Sequence, residues 1–264
     1  MCTTETKALN SIVKAATKLR DAIDKACGGA DKLCGGVLTG EDGGSLINFP
    51  ATCPDFEGKS CTNAVGTTDC TGIATCLLCI DGAAVDQAIA LSYAPSLVPT
   101  DPKVTEQRAL NKCQAAIGKA AARFFSAKSK ALAKCWGTVN KNNGKANAPC
   151  PVPGDGKTAD AIGKAVVKLA DGIKNACAGA DKIFGGTEAN ADFTRAQIGF
   201  PQTCNDVDPP GTLLGSCGGP VTDLQSISTC LYCVNEFKVD CADAIAASTL
   251  VAGTYPDECN PGPP

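Results

Sequence analysis

Two Cys-x-x-Cys pairs, Cys76-Leu77-Leu78-Cys79 and Cys230-Leu231-Tyr232-Cys233, are the residues of this chain best spaced for chemistry, and they stand among 18 cysteines. Thiols at that spacing serve disulfide exchange, metal ligation or covalent haem attachment. Haem attachment needs a histidine after the second cysteine; Ile80 and Val234 follow instead, and the chain has no histidine at all. Exchange chemistry places the pair at a helix N-terminus after a strand, whereas both pairs fall inside helical runs. Metal clusters need convergent thiolates, and the other cysteines are scattered singly. An even number of dispersed cysteines reads as a disulfide framework closed in an oxidising compartment. The expectation is an extracellular or cell-surface protein with no metal and no cofactor.

Catalysis has little to work with. Without histidine, Ser-His and Cys-His systems are excluded and only carboxylates, Lys or Tyr are left as acids and bases. Gly215-Ser216-Cys217 is not a nucleophile elbow, and no glycine-rich phosphate loop stands between strand and helix. Aromatic residues make up 5% of the chain, too few to line a sugar cleft. The reading is not an enzyme, with no catalytic residue. The acidic loops Glu41-Asp42 and Asn205-Asp206-Val207-Asp208 lack the spaced ligands of a calcium loop and read as polar turns. No stretch of about 18 apolar residues stands out and no basic-then-apolar leader opens the chain, so no membrane insertion is expected and the chain reads as a mature form.

The elements that must hold the cysteines occur twice. Ala8 to Cys27 aligns with Asp160 to Cys177, Phe49-Pro-Ala-Thr-Cys53 with Phe200-Pro-Gln-Thr-Cys204, and Ile73 to Cys79 with Ile227 to Cys233. These are tandem copies of one module. Each opens with an amphipathic helix B, whose apolar positions Leu9, Ile12, Ala16, Leu19 and Ile23 (Ile162, Val166, Leu169 and Ile173 in the second copy) step by three and four. Gly28-Gly29 end the first in the manner of a left-handed cap. A long cysteine-rich loop leads to helix C, about Thr71–Ser92 and Thr222–Thr249, with the Cys-x-x-Cys pair near its middle. Between the copies runs helix A, Val104 to about Val139. No counterpart of helix A stands before the first helix B. The fold class is all-α: two homologous disulfide-stapled helical modules with long cysteine-rich loops. The first spans 1–102; the second spans 103–264, as an A–B hairpin over 103–177 and a loop with its Cys-x-x-Cys helix over 178–264.

Comparing the copies suggests pairings. Cys34 and Cys70 both vanish from the second copy, which predicts a Cys34–Cys70 bridge. Cys241 and Cys259 both appear only there, which predicts Cys241–Cys259. An antiparallel A–B hairpin sets Cys113 beside Cys177 and Cys135 beside Cys150, since 22 residues are close to six helical turns. Within Cys53, Cys61, Cys76 and Cys79, and within Cys204, Cys217, Cys230 and Cys233, two loop-to-helix connectivities are open. Cys2 and Cys27 are left over, too far apart along one straight helix to pair with each other. Their partners are expected on a neighbouring chain, which makes them candidates for intermolecular disulfides, or on the Cys241/Cys259 tail, or on helix A.

Charge divides unevenly. Residues 103–145 hold ten Lys/Arg against one acid, Glu106, a balance of +9 that leaves −12 for the rest of a chain of net charge −3. The basic face, with Lys112, Lys119, Arg123, Lys128, Lys130 and Lys134, suits a solvated surface or an acidic neighbour. Polysaccharide is possible; nucleic acid is not expected, because few aromatics accompany the cations and no nucleic-acid motif appears.

Lys112-Cys113-Gln-Ala-Ala-Ile-Gly-Lys-Ala-Ala, Ile198-Gly-Phe-Pro-Gln-Thr-Cys204 and Thr229-Cys-Leu-Tyr-Cys-Val234 give the chain a resemblance to uncharacterised, cysteine-rich helical repeat proteins secreted by bacteria. The resemblance implies no activity and no cofactor. It implies that helix A precedes helix B, a pattern from which the N-terminal copy departs. The functional expectation is an extracellular structural protein, a homo-oligomer or filament or surface-layer subunit. It would assemble head-to-tail through its incomplete first module, with Leu9, Ile12, Leu19 and Ile23 as the assembly face. The alternative is a secreted monomeric binding module, an adhesin or small-ligand carrier.

Overall fold

The computed structural model describes residues 6–35, 49–56, 61–65, 70–92, 101, 103–141, 150, 157–186, 192–210, 216–247 and 259. Its elements in chain order are α1 (Thr6–Cys27), α2 (Thr71–Ser92), α3 (Thr105–Lys141), α4 (Thr158–Cys177), α5 (Arg195–Ile198), β1 (Thr203–Cys204), β2 (Gly219–Pro220) and α6 (Leu224–Ala246). The fold is all-α and disulfide-stapled; the sheet is one antiparallel pair, Thr203 opposite Pro220 and Cys204 opposite Gly219. Helices A, B and C of the repeat are α3, α1/α4 and α2/α6.

The chain packs as two compact units, one formed by 1–83 with 244–264 and the other by 84–243. This division follows packing rather than the repeat boundary at 102/103. The last turns of α2 carry Leu91 into the core of the second unit, beside Cys113, Ile117 and Phe124 of α3. A helix is continuous through its hydrogen bonds whatever its side chains touch, so one helix can serve two cores.

In the second unit, α3 and α4 form the expected hairpin. Ile162, Ala165, Leu169, Ile173 and Cys177 of α4 are buried, and the last four share one core with Ile117, Phe124, Phe200, Ile227 and Leu231. A side-chain carbon on Gly172 would come within 3.2 Å of the Ala120 Cβ, so glycine sets the close approach of the two helices. The loop is ordered by α5, a single turn with a reciprocal cap: Thr194 accepts from the Gln197 N–H and the Gln197 side chain accepts from the Thr194 N–H. Its signal, Thr-x-x-Gln, is present in the sequence.

In the first unit Ile73, Ala74, Cys76 and Ile80 of α2 are buried, as are Cys53, Phe56 and Val65 of the loop, and Cys53 is bridged to Cys76. By length and composition α2 could cross a membrane, which corrects the expectation that no such apolar stretch exists. Two disulfides in the middle of α2 tie it to irregular loop backbone, which lipid cannot hydrogen-bond.

Both copies leave helix B by the same turn. Lys32 and Lys182 sit at φ 59 and 57, Gly35 and Gly185 at φ 72 and 69. Asp31 accepts from the Leu33 N–H and Asp181 from the Ile183 N–H, each at 3.0 Å.

Candidate assembly face and charged surfaces

The bridges reveal what the spacing left open. Cys34 pairs with Cys70, Cys113 with Cys177 and Cys135 with Cys150. Each four-cysteine set closes in the same order: Cys53–Cys76 with Cys61–Cys79, and Cys204–Cys230 with Cys217–Cys233. The loop cysteine nearer the N-terminus takes the helix cysteine nearer the N-terminus. Cys241 and Cys259 are also disulfide-bonded. Among the described residues Cys27 is the free cysteine; Cys2 lies outside them. So many bridges suit an oxidising environment.

The two helices B are the same element in different surroundings. At an offset of 150 residues Ile12 matches Ile162, Leu19 matches Leu169 and Cys27 matches Cys177. Ile162 is 8% exposed and Leu169 2%, while Ile12 is 57% exposed and Leu9 48%. Val13, which the helical stripe did not include, is 56% exposed, and Leu19 is half-buried. Ile23 departs from the expected face: it is the buried residue of α1. It lies at the end where the chain turns back, with the Cys34 N–H donating to Asp24 at 3.3 Å. The open face is therefore Leu9, Ile12 and Val13, grading into Leu19. Cys27 is half-buried, and burial pushes its thiol up. A raised thiol holds less thiolate and exchanges more slowly.

The basic face of α3 divides in two. Lys112, Lys119, Arg123, Lys130 and Lys134 are exposed, but Lys128 is buried on another side of the helix. Its Nζ lies 2.8 Å from Glu236 and 2.7 Å from Asp240 of α6. Residue 128 falls about 150° round the helix from the centre of the exposed row, at 100° per residue. A charge that deep must be paired, and α6 supplies a column of acids for it. Trp136 donates to Asp243 at 2.7 Å, and Tyr232 bonds to Glu236. Burial pushes Asp240 up to about 7 although Lys128 pulls it down. Burial also raises Asp243, against the pull of Trp136 and Lys128. Tyr232 is raised by burial and by its bond to Glu236. On the far side of α6, Lys238 donates to Gln87 of α2. Sequence reasoning missed this cluster; the acids spaced four and three apart at Glu236, Asp240 and Asp243 were the available signal.

Two grooves lie among the described residues. A groove of about 590 Å³ between α3 and α4 is lined by Lys119, Arg123, Phe124, Lys168, Leu169 and neighbours. A second, of about 320 Å³, lies among Val85, Ala88, Ala121, Phe125 and Asn235. Among the described residues no three Cys, Asp or Glu side chains converge as metal ligands. Asp206 accepts from Ser216, and both Asp206 and Asp208 are exposed turn residues; Glu41-Asp42 and Gly215 lie outside the described residues. No known protein family, curated protein or solved structure matches this chain.

Proposed function

We propose that this protein is an extracellular structural subunit that assembles head-to-tail, into a filament or surface layer, through its N-terminal module. The observation that supports it is the open apolar stripe of α1, whose duplicate α4 is covered by α3 and bridged to it. A helix with an amphipathic period gains most of its stability from covering that face. Leu9, Ile12 and Val13 together form the kind of contiguous apolar patch that marks an interaction site. The occupant is a helical face of a neighbouring subunit. Dense disulfide stapling suits an exposed material, since each bridge restricts the unfolded chain by about 2–4 kcal/mol.

Association is carried by the apolar face, and a disulfide through Cys27 or Cys2 is a later lock, slowed by the raised thiol. Light scattering of the native protein against concentration tests this. The expected result is a rising mass that Ile12→Asp with Leu9→Asp abolishes while circular dichroism is unchanged. Non-reducing peptide mapping then expects the Cys2 and Cys27 partners in another chain. A native protein that stays monomeric at every concentration, with both cysteines bonded inside their own chain, overturns the proposal in favour of the secreted binding module.

A further inference from the structure

We propose that the outward face of α3 binds a linear acidic polysaccharide, a glycan chain carrying carboxylates or sulfates, laid along the helix axis. Lys112, Lys119, Arg123, Lys130, Lys134 and Lys141 follow one another at spacings of seven, four, seven, four and seven. From first to last is about eight turns at 3.6 residues each, so the six fall within an arc of about 60° and run straight for about 44 Å. All six are exposed, and none is in an ion pair among the described residues. Lys128 has been turned away from this row, into α6, where its acids are.

A merely solvated helix alternates its signs, because like charges four apart, such as Lys119/Arg123 and Lys130/Lys134, destabilise it. Here the repulsion is kept along the whole row, which is the arrangement that an opposite line of charge relieves. The bed between the cations is flat and small. Ala122, Ser126 and Ala127 floor a trough of about 440 Å³ flanked by Lys119, Arg123 and Lys130. The adjoining groove adds Lys168 of α4 on its far wall. The acid in that groove, Asp171, lies 3.9 Å from Lys174.

The chemistry favours a glycan over a polynucleotide. Single strands are held by stacking on exposed aromatics, and along α3 Phe124 and Trp136 are buried and Phe125 is half-buried. A duplex winds its phosphates away from a straight row, whereas an extended polyuronate keeps its carboxylates in line.

The test titrates the full-length protein with polygalacturonate, with neutral dextran and duplex DNA as comparators, over a range of salt. Three variants in one chain, Lys119→Ala, Arg123→Ala and Lys130→Ala, remove the centre of the row; alanine favours helix, so circular dichroism should not change. A control chain carries Lys14→Ala, Lys18→Ala and Lys25→Ala on α1, a shorter row broken by Asp21. The expected result is polygalacturonate binding that weakens about tenfold or more in the α3 variant, with the slope of log affinity against log salt falling by about two. The control should bind as the native protein does, and dextran should not bind. Unchanged binding in the α3 variant, an equal loss in the α1 control, or duplex DNA competing at lower charge concentration than polygalacturonate would overturn the proposal.

Discussion

Helices α1 and α4 carry nearly the same amphipathic pattern and meet opposite fates. α4 is sealed by α3 through Cys113–Cys177 and a shared core, while α1 shows Leu9, Ile12 and Val13 to solvent. The pattern therefore states what a helix is able to bury, and its surroundings decide whether it does. The difference extends to helix C. Where α6 has Tyr232, Glu236, Asp240 and Asp243, the aligned positions of α2 are Leu78, Gly82, Asp86 and Ile89. The second copy is built to receive a buried lysine and the first is not.

Three perturbations break or sharpen this contrast. The largest effect falls on the charge cluster of the second unit. Lys128→Ala leaves Glu236 and Asp240 buried without their counter-ion and should cost about 3–5 kcal/mol in denaturant unfolding; a loss below about 1 kcal/mol would mean that water already screens the acids. Next come the duplicated stripes. Leu169→Ala should destabilise by about 2–5 kcal/mol, whereas Ile12→Ala on the open face should stay within about 0.5 kcal/mol in the dilute monomer. Equal costs at the two sites would show that α1 is covered after all.

The last effect is one of pH. Asp240 is raised from 3.8 to about 7, so the folded state binds its proton more tightly than the unfolded chain does. Stability from this group is fully present below about pH 4 and declines as pH rises towards 7. Asp240→Asn should flatten that decline in unfolding measured from pH 4 to 8. Asp243, shifted in the same direction by burial, should keep a shallower one. A slope that is identical in the variant would assign the titration elsewhere.

Much of this was readable before the structure. The coincident loss of Cys34 and Cys70 from one copy located a bridge, because a disulfide has no use for half of itself. Helical spacing located the α3–α4 hairpin for the same kind of reason: Cys113 and Cys135 share a face only in a helix. The order of the loop-to-helix bridges was not readable. Residues three apart on α2 or α6 present equivalent thiols, and only the path of the loop chooses between them. That path is set by backbone bonds such as Cys53 N–H to Asn63 and Val221 N–H to Gln202, which leave no mark on side-chain pattern. Lys128 was misplaced by counting cations along the chain instead of around the helix. Ile23 was misplaced because periodicity treats every turn of a stripe alike, although the chain doubles back over one end.

The repeated order of bridges has a bearing on how such a protein wears. Each loop is fastened to its helix at two points one turn apart, Cys204 and Cys217 reaching Cys230 and Cys233. A protease that severs the peptide between Cys204 and Cys217 frees neither end, since both stay covalently held to α6. Damage there is silent in size until a reductant arrives.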